Sequence, residues 1–174
     1  MYPPSRMSHG LHTYPLCGDE ESIDNFSWSV SISEDGTTAI VGAYDDDDNG
    51  PNFCSSYICS LLGSTLLPST PLSRYGASID HFGWSVSISS DGTTAIVGAY
   101  GDDDNGTNSG SAYIYSLVKG IWQETKLLAS DGSSDDNFGR SVSISSDGPT
   151  AIVGARNDNE NGTDLALRAS SPLQ

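Results

Sequence analysis

Short segments of alternating hydrophobic and small polar residues run through this chain, separated by turn-forming residues. In Trp84–Ser89, large apolar and small polar side chains alternate with the period of a β-strand. Asp91-Gly92 then predicts a two-residue hairpin with a type I′ turn, in which both central residues need positive φ. The returning segment, Thr93–Tyr100, is almost continuously apolar, which predicts a second strand buried on both faces.

Two more strands are predicted after this hairpin. The acidic loop Gly101–Gly110 leads to Ser111–Tyr115, which alternates again, and Trp122–Ala129 supplies a fourth strand. Small residues crowd the first two strands, whereas the later strands carry aromatic residues. This gradient is typical of a propeller blade, because blades approach a common axis at their inner strands and splay apart farther out.

The whole unit recurs with a period of 56 residues, which takes Asp35-Gly36 to Asp91-Gly92 and then to Asp147-Gly148. A fixed period of this length indicates one supersecondary unit copied along the chain. The predicted fold is all-β: tandem four-stranded antiparallel blades of a β-propeller, incomplete, with about three blades in an open arc. A β-sandwich or a β-solenoid is the alternative architecture.

The copies differ in completeness. The predicted units are a non-repeating leader (1–15), a first blade (16–71), a second and most intact blade (72–127), a partial third blade (128–163) and a non-repeating tail (164–174). Pro68 and Pro71 predict a degenerate fourth strand in the first blade, because proline cannot donate to a strand ladder. The loss of the pattern after residue 163 predicts a truncated or frameshifted piece of a longer array. Further blades or self-association are expected to cover the open edges.

The charge of the chain is strongly acidic, with 23 Asp and Glu against seven Lys and Arg and a formal net charge of −16. Nucleic acids and anionic membrane surfaces need a cationic partner, so neither is expected to bind. No segment approaches the roughly 18 apolar residues of a membrane span, and residues 1–17 lack the apolar core of a secretory signal. The sequence therefore predicts no membrane insertion and shows no signal peptide.

The three cysteines, Cys17, Cys54 and Cys59, have no metal-ligand spacing. Cys54 and Cys59 are five residues apart, so on one strand they would face opposite sides and could not bridge each other. The cysteines are expected to be incidental.

Acidic loops after the second strand of each copy form a candidate metal site. Alternate oxygen ligands and a turn-permitting glycine resemble the opening of an EF-type calcium loop, although Ser56 stands where that loop needs a bidentate glutamate. Clustered carboxylates repel one another unless a cation or solvent screens them, so calcium is the candidate cofactor and a solvated turn without an ion is the alternative. The candidate ligands are Asp45, Asp47 and Asn49 in the first copy, Asp102 and Asp104 in the second, and Asn157, Asn159 and Asn161 in the third.

No set of catalytic residues emerges from the sequence. A GxSxG elbow is absent, and His81 stands where the other copies have Asn25 and Asn137, which indicates a turn residue. Asp80 and Asp136 are expected to cap the turn between blades rather than to act as acids or bases. The chain is predicted not to be an enzyme.

The strings Phe82-Gly83, Ser85-Val86 and Ala95–Tyr100 resemble the FG-GAP repeat, which is best known from the head of integrin alpha subunits. The resemblance covers residues 16–163 and has departures, since Phe26-Ser27 replaces Phe-Gly in the first copy. It implies a seven-bladed propeller outside the cell or on its surface, working as a ligand-binding or adhesion platform, often with calcium. The calcium loop of integrins lies between the first two strands, where this chain has only the Asp-Gly turn, so those sites are not carried over.

The expected function is a non-enzymatic, adhesion-type interaction module that presents its loops to a protein or carbohydrate ligand. Two alternatives remain open at this point. The blades could be an accessory scaffold of a secreted hydrolase, or the chain could be a truncated, non-functional fragment of a longer FG-GAP protein.

Overall fold

The computed structural model describes residues 26–44, 55–62, 65–66, 70–72, 80–158 and 166–170. Every regular element within these ranges is a β-strand, and the strands form three antiparallel sheets that do not close on one another. The predicted all-β architecture of tandem, open blades is thereby confirmed. Among the described residues, no helix has the length and hydrophobicity needed to cross a bilayer.

Strand order follows chain order within each sheet. The first sheet contains β1 (Phe26–Ile32), β2 (Thr38–Ala43), β3 (Ser55–Leu62) and β4 (Thr65–Leu66), and β5 (Thr70–Pro71) also pairs with β3. The second sheet contains β6 (Phe82–Ile88), β7 (Thr94–Ala99), β8 (Ser111–Val118) and β9 (Ile121–Leu127). The third sheet contains β10 (Phe138–Ile144), β11 (Thr150–Ala155) and β12 (Ala166–Ser170).

The second sheet is the four-stranded blade that the hydrophobic pattern predicts. All six residues of β7 are buried, as expected for a strand that is covered on both faces. A β-bulge interrupts the pairing of β6 with β7 between Phe82 and Ser85, where Gly83 has φ +92°. Ser27 takes the same left-handed conformation in the first sheet, with φ 64°, so the fold keeps this bulge even where glycine is replaced.

The hairpin between β6 and β7 differs from the predicted type I′ turn. Gly92 has positive φ (69°) but Asp91 does not, and the Ser89 amide donates to the Thr94 carbonyl at 2.8 Å across a loop longer than two residues. The Asp91 carboxylate accepts hydrogen bonds from the Ser89 hydroxyl at 2.6 Å and the Thr93 amide at 3.0 Å. The type I′ prediction was wrong because these side-chain bonds hold the aspartate in an ordinary backbone conformation.

The first and third sheets depart from the complete blade in different ways. Where the first copy was expected to have a degenerate fourth strand, the two-residue strands β4 and β5 each pair with β3. In the third copy, the backbone of Ala166–Ser170 pairs with β11 as a third strand, although this segment resembles no other part of the sequence. Strand pairing uses backbone groups, so an unrelated sequence can still complete the edge of β11.

Two buried clusters hold adjacent sheets together. Between the first and second sheets the members are Ile40, Ile58, Leu72, Phe82, Ile88, Ala95, Val97, Ala99, Tyr113 and Tyr115. Between the second and third sheets they are Ile96, Ala112, Ile114, Ala129, Phe138, Ala151, Val153 and Ala155. The tyrosines of β8 fill the wider outer part of the first interface, as the size gradient along the blade predicts.

The two inner strands of one sheet approach the first strand of the next at backbone distance. The Ser29 hydroxyl donates to the Gly83 carbonyl at 2.8 Å, and the Ser85 hydroxyl donates to the Gly139 carbonyl at 2.9 Å. A Cβ added at Gly98 would overlap the carbonyl oxygen of Gly139. The recurring serines and glycines therefore serve the close approach of the blades.

Cys59 forms a disulfide, and its partner lies outside the described residues. The expectation that the cysteines are incidental was wrong for this residue. Cys59 is 2% exposed on β3, so its side chain is buried rather than open to solvent.

Replacing Gly98 by alanine tests the close approach of the second and third sheets. We expect Gly98→Ala to lower the free energy of unfolding by about 2–4 kcal/mol, because a methyl group would push two backbones apart. Gly154→Ala is the matched control: it holds the equivalent position, but an added Cβ would crowd only the rotatable hydroxyl of Ser141. Urea unfolding measures both. Equal losses of unfolding free energy in the two variants would contradict the close contact between Gly98 and the third sheet.

Candidate functional site

One end of the sheets carries the loops that follow β2 and β7, together with the connections that enter β6 and β10. We call it the loop end; its described residues are 44, 80–84, 100–110, 133–140 and 156–158. The opposite end carries the Asp-Gly hairpins, where Asp35, Asp91 and Asp147 each accept a hydrogen bond from a serine hydroxyl two residues earlier. Those aspartates are engaged in their own turns, so the loop end is the better candidate site.

A lysine occupies the centre of the acidic loop in the second sheet. The Lys126 ammonium, on β9, donates to the carboxylates of Asp102, at 2.6 Å, and of Asp104. Asp102 also accepts hydrogen bonds from the hydroxyls of Ser111 and Tyr113, both at 2.8 Å, and it is only 3% exposed. The structure thus brings two predicted metal ligands together around an internal cation.

Hydrogen bonding keeps both Asp102 and Lys126 in their charged forms. Burial favours the neutral form of Asp102, but the hydrogen bonds from Lys126, the Asp104 amide, Tyr113 and Ser111 outweigh it and hold the pKa of Asp102 below its usual range. Burial also opposes the charged form of Lys126, yet its bonds to the two carboxylates raise the pKa of the ammonium. With its lysine in place, the second loop does not fit a calcium ion.

Asp80 lies beside this cluster and behaves differently. Burial and the negative charge of Asp102 raise the pKa of Asp80 to about 6. The folded-state pKa of Asp80 is therefore higher than that of an ordinary aspartate. Protonation of Asp80 stabilises the folded state at a pH below the ordinary pKa, and this stabilisation is lost as the pH rises through about 6. The backbone carbonyl of Asp80 accepts a hydrogen bond from the Gly101 amide at 3.1 Å, which ties the connector to the loop.

Asparagines join the loop of the second sheet to the third sheet. The Asn108 side chain donates to the Asp135 carboxylate at 3.2 Å, and the Asn137 side chain donates to the Asn108 carbonyl at 3.1 Å. Asn157, a predicted metal ligand, instead donates to the Asp135 carbonyl at 3.0 Å and the Asn137 side chain at 3.1 Å. Asp136 caps its turn as expected, accepting from the Ser133 amide at 2.6 Å.

Aromatic side chains from the first two sheets form a row at the loop end. The ring centroids of Trp28 and Trp84 are 4.9 Å apart, and those of Trp84 and Tyr100 are also 4.9 Å apart. Tyr44 packs edge-on against both tryptophans, at 5.2 and 5.0 Å. We call these four residues the aromatic row; Trp28 remains 52% exposed.

Arg140 closes the aromatic row on the side of the third sheet. Its guanidinium carbon lies 4.8 Å from the ring centroid of Trp84 and 4.6 Å from that of Tyr100, which is cation–π geometry. His81 has positive φ (53°), as a turn residue does, and stacks on Tyr100 with ring centroids 4.6 Å apart. The row is thus held by stacking on one side and a cation on the other.

The predicted site residues have different outcomes. Asp102 and Asp104 are brought together, and Asn157 lies in the polar network between sheets. Asp45, Asp47, Asn49, Asn159 and Asn161 lie outside the described residues. Within the described part of the chain, no group of three or more His, Cys, Asp or Glu residues is arranged to hold a metal ion.

Sequence reasoning missed the aromatic row and the lysine. A signal for the row existed, because Trp28, Trp84 and Arg140 are separated by the repeat length, as are Tyr44 and Tyr100. No such signal existed for Lys126, since the equivalent position of the first copy holds Thr70.

Removing the lysine tests the charge balance of the second loop. We expect Lys126→Met to lower the free energy of unfolding by about 2–4 kcal/mol at pH 7, because Asp102 would stay buried without its cation. The loss should shrink as the pH falls toward 4, where Asp102 in the variant takes up a proton. The double variant Asp102→Asn/Lys126→Met is the control and should recover much of the loss. Thermal unfolding across this pH range measures these losses. A single variant that lost the same stability at every pH would contradict the neutralisation of Asp102 by Lys126.

Family comparison agrees with this architecture. A sequence model described as FG-GAP repeat matches residues 16–59, 74–115 and 122–165, which together span more than half of the chain. The third match begins in β9, the outermost strand of the second sheet, and ends just before β12. A search of curated proteins gives no match. With three repeats in phase with three stacked sheets, the chain belongs to the FG-GAP repeat family.

Proposed function

We propose that this chain is a non-enzymatic, adhesion-type interaction module whose loop end binds a protein or carbohydrate ligand. The observation that supports the proposal is the aromatic row, a set of rings in mutual contact that is open to solvent at Trp28. Large aromatic side chains contribute strongly to binding energy because they bury much area at little entropic cost. A half-exposed tryptophan in an aromatic cluster is typical of an interaction surface.

The geometry of the row suits a flat or cationic ligand group. Trp28 contacts Trp84 on one side, while Arg140 covers the far side of Trp84. The free surface of Trp28 can therefore pack against one more planar or apolar group, such as a sugar ring or a side chain of a partner. The acidic surroundings of the chain favour partners without strong negative charge.

We also propose that the module works outside the cell, where the FG-GAP family is generally found. The disulfide at Cys59 supports this location, since stable disulfides are rare in reducing compartments. Apolar side chains remain exposed on the two outer sheets, at Val30 (64%), Ile32 (62%) and Ile152 (50%). Further blades or association with a second chain would cover these faces.

Calcium binding remains a proposal for the first copy of the repeat. Lys126 supplies the positive charge in the second loop, but the first copy has Thr70 at the equivalent position and carries Asp45, Asp47 and Asn49. Without a lysine, a divalent cation is the natural way to offset these carboxylates.

Substitution of Trp28 tests the interaction surface. We expect the wild-type chain to bind at least one member of a panel of immobilised glycans and extracellular proteins, and Trp28→Ala to weaken that binding at least about tenfold. The control is Ile121→Ala, which removes a side chain that is 69% exposed on β9, away from the row. Binding that is equally strong in both variants, or no binding to either panel, would contradict the proposed surface.

A calcium titration tests the metal proposal separately. We expect 10 mM calcium to raise the melting temperature by roughly 2–5 °C over magnesium at the same ionic strength. Asp47→Asn should abolish the rise, whereas Asp104→Asn, in the second loop beside the lysine, should keep it. No difference between calcium and magnesium in the wild-type chain would end the proposal.

A further inference from the structure

The two outer faces of the stacked sheets expose apolar residues whose repeat equivalents are buried inside the stack. On the first sheet, Val30 and Ile32 point away from the second sheet and are mostly exposed, whereas Ile88, the equivalent of Ile32, is buried. On the third sheet, Ile152 is half exposed, whereas its equivalent Ile96 is fully buried. The positions that form the interfaces inside the chain are therefore open at both ends of the stack.

The two interfaces inside the chain use the same pair of hydrogen bonds. Between the second and third sheets, the Ser85 hydroxyl donates to the Gly139 carbonyl at 2.9 Å, and the Ser87 hydroxyl accepts from the Ile144 amide at 3.2 Å. Both bonds recur 56 residues earlier, between the first and second sheets, at 2.8 and 3.2 Å. The contact has a direction, because the serines always belong to the preceding sheet and their partners to the first strand of the following sheet.

The third sheet carries the same serines. Ser141 and Ser143 hold these positions on β10, and both are exposed. No sheet follows the third one among the described residues, so neither hydroxyl makes the inter-sheet bond of its equivalents. The complementary groups lie on β1: the amide of Ile32 and the carbonyl of Ser27, which has the left-handed conformation of Gly83. The third sheet thus offers the groups that match the first strand of the first sheet.

The aromatic row gives the same direction and adds charge complementarity. Trp84 packs on Trp28 and Tyr44 of the preceding sheet, with ring centroids 4.9 and 5.0 Å apart. On the third sheet, the positions equivalent to Trp28 and Tyr44 hold Arg140 and Arg156. A tryptophan at the same place in a following sheet would therefore lie over two guanidinium groups, which is a cation–π contact. Trp28 of a second copy is such a tryptophan.

The contact requires only the first strand of the incoming sheet. Inside the chain, β6 packs on β1 and β2, and β10 packs on β6 and β7. On the outer face of the first sheet, Val41 of β2 and Tyr57 of β3 are already buried, whereas the side chains of β1 are open. The open strand is thus the one that the repeated interface uses.

We propose that β1 of a second copy of the chain packs across β10 and β11, so that Ile32 contacts Ile152 and Trp28 lies over the two arginines. The inference rests on the proposed function of the aromatic row, and it names a second copy as the partner that meets Trp28. The contact is head-to-tail, and such contacts form a ring when the rotation closes. Propellers contain about four to eight sheets, and two chains of three sheets supply six. Two copies therefore complete one ring.

Sedimentation velocity of the full chain tests the association. At physiological ionic strength, which screens the repulsion between two acidic chains, we expect a dimer with a dissociation constant on the order of 10 µM. Ile32→Asn and Ile152→Asn each replace an exposed side chain on one of the two faces and should weaken the dimer at least about tenfold. Ile121→Asn, on the exposed side of β9, is the control and should leave it unchanged. A wild-type chain that stays monomeric at about 200 µM, or equal weakening in all three variants, would overturn the proposal.

Mixing the two variants tests the direction of the contact. A ring made of one Ile32→Asn chain and one Ile152→Asn chain has one unaltered contact, and both substitutions meet at the other. Since the two residues touch, altering both at one contact costs little more than altering one. We expect the mixture to associate more tightly than either variant alone. A symmetric contact between two first sheets would leave Ile152→Asn as dimeric as the wild type, and that result would refute the head-to-tail contact.

Ile152→Asn also separates this inference from the proposed function. The substitution lies away from the loop end and leaves Trp28 open, so the variant should keep any binding to the panel of glycans and proteins. Dimerisation that Ile152→Asn does not weaken overturns the inference, whatever the panel binds. A wild-type chain that dimerises but binds no member of the panel supports the inference, and its failure concerns the other ligands alone.

Discussion

Backbone contact between the two inner strands of one sheet and the first strand of the next is the constraint on which the rest of this structure depends. Gly98 lies so close to Gly139 that no side chain fits between them, and the Ser85 hydroxyl bonds to the same carbonyl. The first and second sheets meet in the same way through Gly42 and Gly83. Because the inner ends are fixed at backbone distance while the outer strands carry tyrosines, each sheet is a wedge, and wedges stack around an axis.

The same contact creates the candidate site. Equivalent positions of successive repeats become neighbours in space once the sheets stack, so Trp28, Trp84 and Arg140 line up without any local sequence motif. The negative charge of the acidic loop is neutralised within one sheet, because the Lys126 side chain of β9 forms an ion pair with Asp102. Stacking thus builds the aromatic surface, and pairing within one blade neutralises the loop beside it.

The sequence predicts the strands well, because alternation, the Asp-Gly turns and the 56-residue period all indicate one unit. Its failures arise where a contact leaves no mark in the hydrophobic pattern. The turn at Asp91 is set by side-chain hydrogen bonds, and β12 pairs through backbone groups that any sequence carries. Lys126 belongs to one copy only, so comparison of the copies gives no sign of its role.

Amide hydrogen exchange at the inner strands tests the stacking most directly. The Ile88 and Ile144 amides point away from β7 and β11, and each donates at 3.2 Å to a serine hydroxyl of the preceding sheet. Such amides on an isolated edge strand would be open to solvent. The account predicts that both exchange as slowly as the ladder amides of β7. Exchange as fast as that of the exposed turn at Lys119 and Gly120 would contradict it.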